Sequence, residues 1–330
     1  MPRTVLFHEL GGPEVLQLED VPINEPGPGE LRIRVEAIGL NRAEALFRAG
    51  AYIYRPVLPS ARLGYEAAGI VDAVGAGVTD FAPGDPVSTV PAFLMTEYGT
   101  YGEQIVIPAS AVVHRPETVD AVTGAALWMA YTTGYGLLVE IGGIRPGDTV
   151  LVTAASSSVG LAAIQIANHL GAVPIATTRT AAKKQRLLDA GASHVITTDD
   201  EDLVDRVRSL TGGRGVDLAV DPIAGPSLST LVQAVAPDGG LIVYGFLDPN
   251  PIPLPVAPDF AGRNTRTFIF SEVTLNEARL HRAKHFIQAG LRAGSLAPVV
   301  SRTFDLAAIG KAHHYLESND QFGKIIVTVP

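Results

Sequence analysis

The residues most able to do chemistry lie between Thr149 and Gln165, reading TVLVTAASSSVGLAAIQ. A short apolar β-rich run leads into the loop Ala155-Ser156-Ser157-Ser158-Val159-Gly160, and an alanine-rich helical pattern follows. Such a loop lets backbone N–H groups approach an anion, and the helix behind it aims its positive dipole end at the same place. The next strand end indicates which anion. A dinucleotide site for NAD places an Asp or Glu about 20 residues beyond the first loop glycine, where it accepts from the ribose 2'-hydroxyl. Here that stretch is Thr177-Thr178-Arg179-Thr180, with Lys183 and Lys184 just beyond and no acid before Asp189. A guanidinium binds phosphate bidentately and stacks on a base. The residues therefore point to NADPH rather than NADH.

In open parallel sheets ligands bind beyond the carboxyl ends of the strands. Three more segments suit such positions: Asp221-Pro222-Ile223, Tyr244-Gly245-Phe246 and Gln321-Phe322-Gly323-Lys324. They read either as contacts to ribose and nicotinamide or as ordinary turns. Two other readings of the serine loop stay open. Ser158 followed by Gly160 is close to the nucleophile elbow of an α/β-hydrolase, with Asp221 and His281 or His285 as partners, although this leaves the basic cluster without a role. The loop is also compatible with a plain strand-to-helix turn.

The elements that must position these residues change in texture along the chain. Up to about residue 120 the sequence is rich in Gly and Pro. It holds short alternating runs such as Leu31 to Ala37, further strand patterns at Glu66 to Val74, Asp85 to Val90 and Gln104 to Pro108, and one short helix, Arg42 to Arg48. Strand and helix patterns then alternate, the mark of a parallel sheet covered on both faces. Strands are expected at Val150 to Ala154, Val173 to Thr177, His194 to Thr197, Leu218 to Asp221, Leu241 to Gly245 and Phe268 to Phe270. Helices are expected at Val159 to Leu170, Ala181 to Ala190, Glu201 to Leu210, Ser227 to Ala236 and about Leu275 to Gly294. The tail reads as short strands around Leu306 to Glu317 that rejoin the first domain.

Composition bounds the function. A chain of 330 residues with 47% hydrophobic content can bury a large core and favours two domains. The net charge of −9 disfavours a general nucleic-acid or anionic-membrane binder. Cysteine is absent, which removes disulfides, thiolate nucleophiles and thiolate metal sites. No apolar run reaches the roughly 18 residues of a membrane span, and the start carries no cleavage-like signal, so a cytoplasmic protein is the expectation.

Six segments in order, GGPEVL at Gly11, PGPGELRIRVEAIGLN at Pro26, GYEAAGIV at Gly64, PGDPV at Pro83, the AASSSVGLAAIQIA loop and FGKIIV at Phe322, resemble the zinc-independent, zeta-crystallin-like quinone oxidoreductase branch of the medium-chain dehydrogenase/reductase superfamily. The resemblance spans nearly the whole chain. It implies an α/β fold with a GroES-like mostly-β domain, residues 1–122 completed by 265–330, and a Rossmann-type doubly wound parallel sheet in 123–264. It also implies an active-site cleft between the domains, NADPH as hydride donor and a homodimer. Where the family usually has glycines this chain has Ser157 and Ser158. The zinc branch would carry Cys at Asn41 and His at Tyr65, together with a cysteine-rich lobe, all missing here. His281/His285 and His313-His314 are read as solvated helix faces, so no metal site is expected. Without a Lewis acid, quinones and alkenes conjugated to a carbonyl become the favoured hydride acceptors. The resemblance places Tyr52 as proton donor, in competition with water, and Asn41 at the vacated metal position as a partner of nicotinamide ribose or substrate. Thr133 is placed near the nicotinamide. Phe93, Leu94, Met95, Trp128 and Phe246 are expected around a small hydrophobic acceptor. The alternatives are a zinc-type alcohol dehydrogenase relative acting on carbonyls, the Ser158 hydrolase, and a protein that binds the nucleotide without turnover.

Overall fold

In the computed structural model, which describes residues 1–253 and 262–330, the chain opens with a hairpin of β1 (Arg3–Leu6) on β2 (Gln17–Asp20). The alternating run becomes β3 (Glu30–Gly39), with Leu31, Ile33 and Val35 buried and Arg34 outside, as a period of two requires. There follow α1 (Arg42–Arg48), β4 (Glu66–Val74), β5 (Pro86–Thr89), β6 (Gln104–Pro108), β7 (Val112–His114) and α2 (Ala121–Gly124). β3 lies antiparallel to both β4 and β6, and β5 joins β4 to β7.

The boundary between two compact units falls inside α3 (Trp128–Tyr135). The second unit, Ala130–Ala297, continues through β8 (Thr149–Val152), α4 (Ser158–His169), β9 (Val173–Thr178), α5 (Lys184–Asp189), β10 (His194–Thr197), α6 (Leu203–Leu210), β11 (Val216–Asp221), α7 (Leu228–Gln233), β12 (Val235–Val243), β13 (Asn264–Thr267), α8 (Ser271–Thr274) and α9 (Glu277–Arg292). Its six strands are all parallel in the order β10-β9-β8-β11-β12-β13. The winding reverses between β8 and β11, so the loops after these strands form the switch point where such sheets take ligands. Leu151, Ile175, Ala219, Val232 and Leu241 pack in the core beneath.

The chain then re-enters the first unit, Met1–Met129 with Pro298–Pro330, as β14 (Val300–Asp305), α10 (Ile309–Ser318) and β15 (Lys324–Thr328). β15 lies between β14, parallel, and β3, antiparallel.

Four expectations are corrected. Residues 306–317 are mainly helix, not strands; Ile309, Ala312, His313 and Leu316 are buried at helical spacing. Phe268 to Phe270 is not a strand: the pairing segment is Asn264–Thr267, whose exposed polar side chains hide a strand paired with β12 through its backbone, while both phenylalanines are buried. α7 ends at Gln233 because Val235 already belongs to β12. The units part after Met129 and Ala297 rather than after 122 and 264, since α8 and α9 belong to the second unit.

Candidate active site

In the second unit the serine loop joins β8 to α4 and leaves the N–H groups of the helix start in a turn of small residues. Ser157 caps α4, its Oγ accepting from the Gly160 N–H at 3.0 Å. Gly160 is required by space: a Cβ there would stand 2.6–2.8 Å from the Ala155 backbone. The strained backbone position is Ala154, at φ +45°, whereas Ser158 is the first helical residue. A nucleophile elbow needs the strain at its serine, so the hydrolase geometry does not form.

The basic cluster reaches this loop. Lys183 Nζ donates to Ser156 Oγ at 3.3 Å. Thr178 ends β9 half-buried, and the exposed Arg179 guanidinium has no hydrogen-bond or ion-pair partner among the described residues. Lys184 instead pairs with Glu201 at 3.7 Å. A free guanidinium and an ammonium beside a hydroxyl-lined helix start have the charge and donor geometry that a 2'-phosphate needs.

The other expected contacts divide. Asp221 is buried, its carboxylate accepting from Thr153 Oγ1 and from the N–H groups of Ile223 (3.1 Å) and Ala224 (2.6 Å). Burial raises its pKa against those bonds; the side chain organises its own turn. Gly245 lets β12 approach β11, since a Cβ would lie 2.8 Å from the Pro222 carbonyl oxygen. The Tyr244 hydroxyl is buried, and that burial, with the Asp221 carboxylate, raises its pKa. Phe246 is exposed. Thr133 is buried within α3.

In the first unit, Asn41 stands at the start of α1 in a capping box with Glu44, whose Oε2 accepts from the Asn41 backbone N–H at 2.5 Å. The Asn41 side-chain NH₂ donates to Glu44 Oε1 at 3.1 Å and to the Gly39 carbonyl at 3.3 Å. Lys324 Nζ donates to Asn41 Oδ1 at 2.6 Å and to Glu66 Oε2 at 2.5 Å. Glu66 Oε1 accepts from the Met129 N–H at 2.9 Å, and Glu44 Oε1 accepts from the Tyr65 N–H at 3.2 Å. Glu44, Glu66 and Lys324 are all fully or almost fully buried. Gly39 makes the lysine's position possible, because a Cβ there would come within 2.8 Å of Lys324 Cε. Burial lifts the Glu44 carboxyl to about 7 despite the Lys324 charge and the bonds it accepts.

Lys324 is thus engaged inside the first unit rather than presented outward. Phe322 is buried, and Gly323 takes φ +99°. Tyr52 follows α1, its ring edge-on to Phe47 and Tyr54 at 6.4 and 6.0 Å. Its hydroxyl is buried; burial raises its pKa, the Glu44 charge adds to this and the Tyr65 phenol opposes it. Glu44 and Glu66 were not read as site residues from the sequence, although the Asn41-x-x-Glu44 spacing is a capping-box signature that would have found the first.

Phe93, Met95 and Trp128 pack in the core at 2–4% exposure, Phe93 against Tyr65 and Tyr98, and Leu94 is half-buried. One expectation fails here. His313 is not solvated: its ring is buried between Arg48, 3.1 Å from Nδ1, and the Tyr101 hydroxyl, 3.2 Å from Nε2. Burial and the Arg48 charge depress it to about 3. His281, His285 and His314 are exposed. Among the described residues no three His, Cys, Asp or Glu side chains are grouped to hold a metal ion, and no helix is long and apolar enough to cross a membrane.

Comparison with known proteins supports this two-unit reading. The family described as alcohol dehydrogenase GroES-like domain matches residues 27–117, and that described as zinc-binding dehydrogenase matches 158–289. The chain is 31% identical to a 2-haloacrylate reductase from Burkholderia sp, over 99% of both chains. It is also 31% identical to a quinone oxidoreductase from Rattus norvegicus, over 98% of this chain and 97% of that one. The solved structure of Escherichia coli quinone oxidoreductase complexed with NADPH superposes with a TM-score of 0.89 at 28% identity, covering 99% of each chain. The chain belongs to the quinone oxidoreductase branch of the medium-chain dehydrogenase/reductase superfamily.

Proposed function

We propose that the protein is a zinc-independent, NADPH-dependent reductase that adds hydride to quinones or to alkenes conjugated with a carbonyl. The observation that carries this reading is the meeting of Lys183 with Ser156 at 3.3 Å, beside an uncommitted Arg179 and a helix start that only glycine fits. Bound NADPH supplies the hydride. Arg179 and Lys183 hold the 2'-phosphate, and the N–H groups at the start of α4 receive the pyrophosphate. Lys324 supports zinc independence on chemical grounds: its ammonium already occupies the Asn41 and Glu66 oxygens that a divalent ion beside Asn41 would seek, and like charges repel. The relatives named as quinone oxidoreductases and a 2-haloacrylate reductase support acceptors of this electron-poor kind.

When hydride adds to an enone, the alkene electron pair moves to the carbonyl oxygen, which then needs a donor. Tyr52 is the candidate. Its raised pKa keeps the phenol protonated across the working pH range, so it stabilises the developing charge as a hydrogen-bond donor, with the proton coming from the phenol or from water. Titration with NADPH and NADH, followed by turnover on a panel of quinones, enones and 2-haloacrylates, tests the reading. Arg179→Ala should weaken NADPH binding about 10- to 100-fold and leave NADH binding nearly unchanged. An unchanged NADPH preference in that variant would remove the 2'-phosphate assignment. A wild-type protein that binds NADPH yet reduces none of the acceptors would be a nucleotide-binding protein without turnover.

A further inference from the structure

The Asn41 amide is held from both ends. Lysine has only donors, so the atom facing Lys324 must be Oδ1. The NH₂ group then faces Glu44 Oε1 and the Gly39 carbonyl, both acceptors, which uses both of its hydrogens. Oδ1, which the capping box also turns toward the Glu44 backbone N–H, is the acceptor atom of the amide, on a side chain that is only half-buried. Asn41 in this setting can accept a hydrogen bond but has none to give. The arrangement lies wholly within the first unit and draws on α1, β4, the end of β3 and β15.

We propose that Glu44 and Lys324 are positioning residues of the reductase, fixing the Asn41 amide so that it presents an acceptor oxygen to a hydroxyl of the nucleotide or of the substrate, and never a donor to the acceptor's carbonyl. The donor for the developing oxyanion therefore comes from elsewhere, which leaves that role to Tyr52 or water. This inference rests on the reductase reading for its functional consequence but not for its geometry.

The Glu44 proton makes the geometry observable. Glu44 is faced by Asn41 on its own helix, by Lys324 on β15, by Glu66 on β4, and by the phenols of Tyr52, Tyr65 and Tyr101. Lys324 favours ionised Glu44, while burial favours the neutral acid, and the Glu44 charge in turn raises all three phenols, which stay neutral. Of these groups Glu44 is the one whose carboxyl burial lifts to near neutrality. Below about pH 7 its carboxyl carries a proton and grips the Asn41 NH₂ less well.

The test uses nucleotide-free protein labelled with ¹⁵N-asparagine, with the Asn41 side-chain signal identified by its loss in Asn41→Asp. That signal should titrate with a midpoint near 7 in the wild type and lose the step in Glu44→Gln. Lys324→Met should split or broaden it, and Lys324→Arg should restore a single signal. In turnover, Glu44→Gln should flatten the limb of kcat/KM near neutral pH, and Lys324→Met should lower kcat by about tenfold or more while Lys324→Arg recovers most of it. A wild-type Asn41 signal that does not move between about pH 5.5 and 8.5 overturns the proposal. So does full, pH-independent activity in a folded Lys324→Met variant. If no acceptor is reduced at all, the reductase reading fails, while the spectra still decide whether the amide is held.

Discussion

The two polar clusters differ in what they do with their charges. At the serine loop of the second unit the cations lie toward solvent: Arg179 is exposed with no hydrogen-bond or ion-pair partner among the described residues, and Lys183, half-buried, reaches the Ser156 hydroxyl. In the first unit, Lys324, Glu44 and Glu66 are buried and, with the half-buried Asn41, bonded into one network. A site that must grip an outside anion keeps its donors free and pays little desolvation for them. A network that must hold a geometry closes on itself, because a buried charge left single is costly. Charge alone therefore does not distinguish a binding residue from a positioning residue; burial and completed bonding do.

The contrast can be broken by mutation and sharpened by solvent. Lys324→Met leaves buried carboxylates without their cation and should cost about 3–5 kcal/mol in denaturant unfolding at pH 8. A loss under about 1 kcal/mol would mean the network is wet rather than buried. Glu44→Gln has a signed pH dependence. The folded-state pKa, about 7, lies above the unfolded value of 4.5, so the wild type has the full benefit of the neutral acid below pH 4.5 and loses it as pH rises to about 7. The glutamine variant cannot ionise; its stability relative to wild type should improve by on the order of 2–4 kcal/mol between those limits and then level off. Unfolding curves that stay parallel across that window would place the Glu44 pKa in the ordinary range. Salt separates the regions with the smallest effect: raising it from about 0.05 to 0.5 M should weaken NADPH binding several-fold while leaving the pH dependence of stability from Glu44 nearly unchanged, as calorimetry at each salt would read.

Much of this was legible in the sequence, and what was missed has physical reasons. β4 and β6 and the helix α1 follow from alternation, turn residues and a small-residue stop. The serine loop was legible because only small residues permit the approach of Ala155 to Gly160, and the basic cluster because Arg179 and Lys183 sit one strand later. Lys324 was read as an outward contact because a lysine is rarely buried; only the pairing of β15 with β3, almost three hundred residues earlier in the chain, brings it to Asn41 and Glu66. His313 was misread for the same reason: its partners Arg48 and Tyr101 are distant in sequence. β13 escaped because its side chains are polar and exposed, so no alternation of apolar residues marks it and its pairing with β12 shows only in the backbone.

The late position of β15 also orders assembly. During synthesis the strands from Glu30 to His114 emerge long before the lysine that neutralises their interior, so the first unit cannot close over Glu44 and Glu66 until the ribosome has delivered β15. The second unit, contiguous from Ala130 to Ala297, has no such wait and is free to fold first.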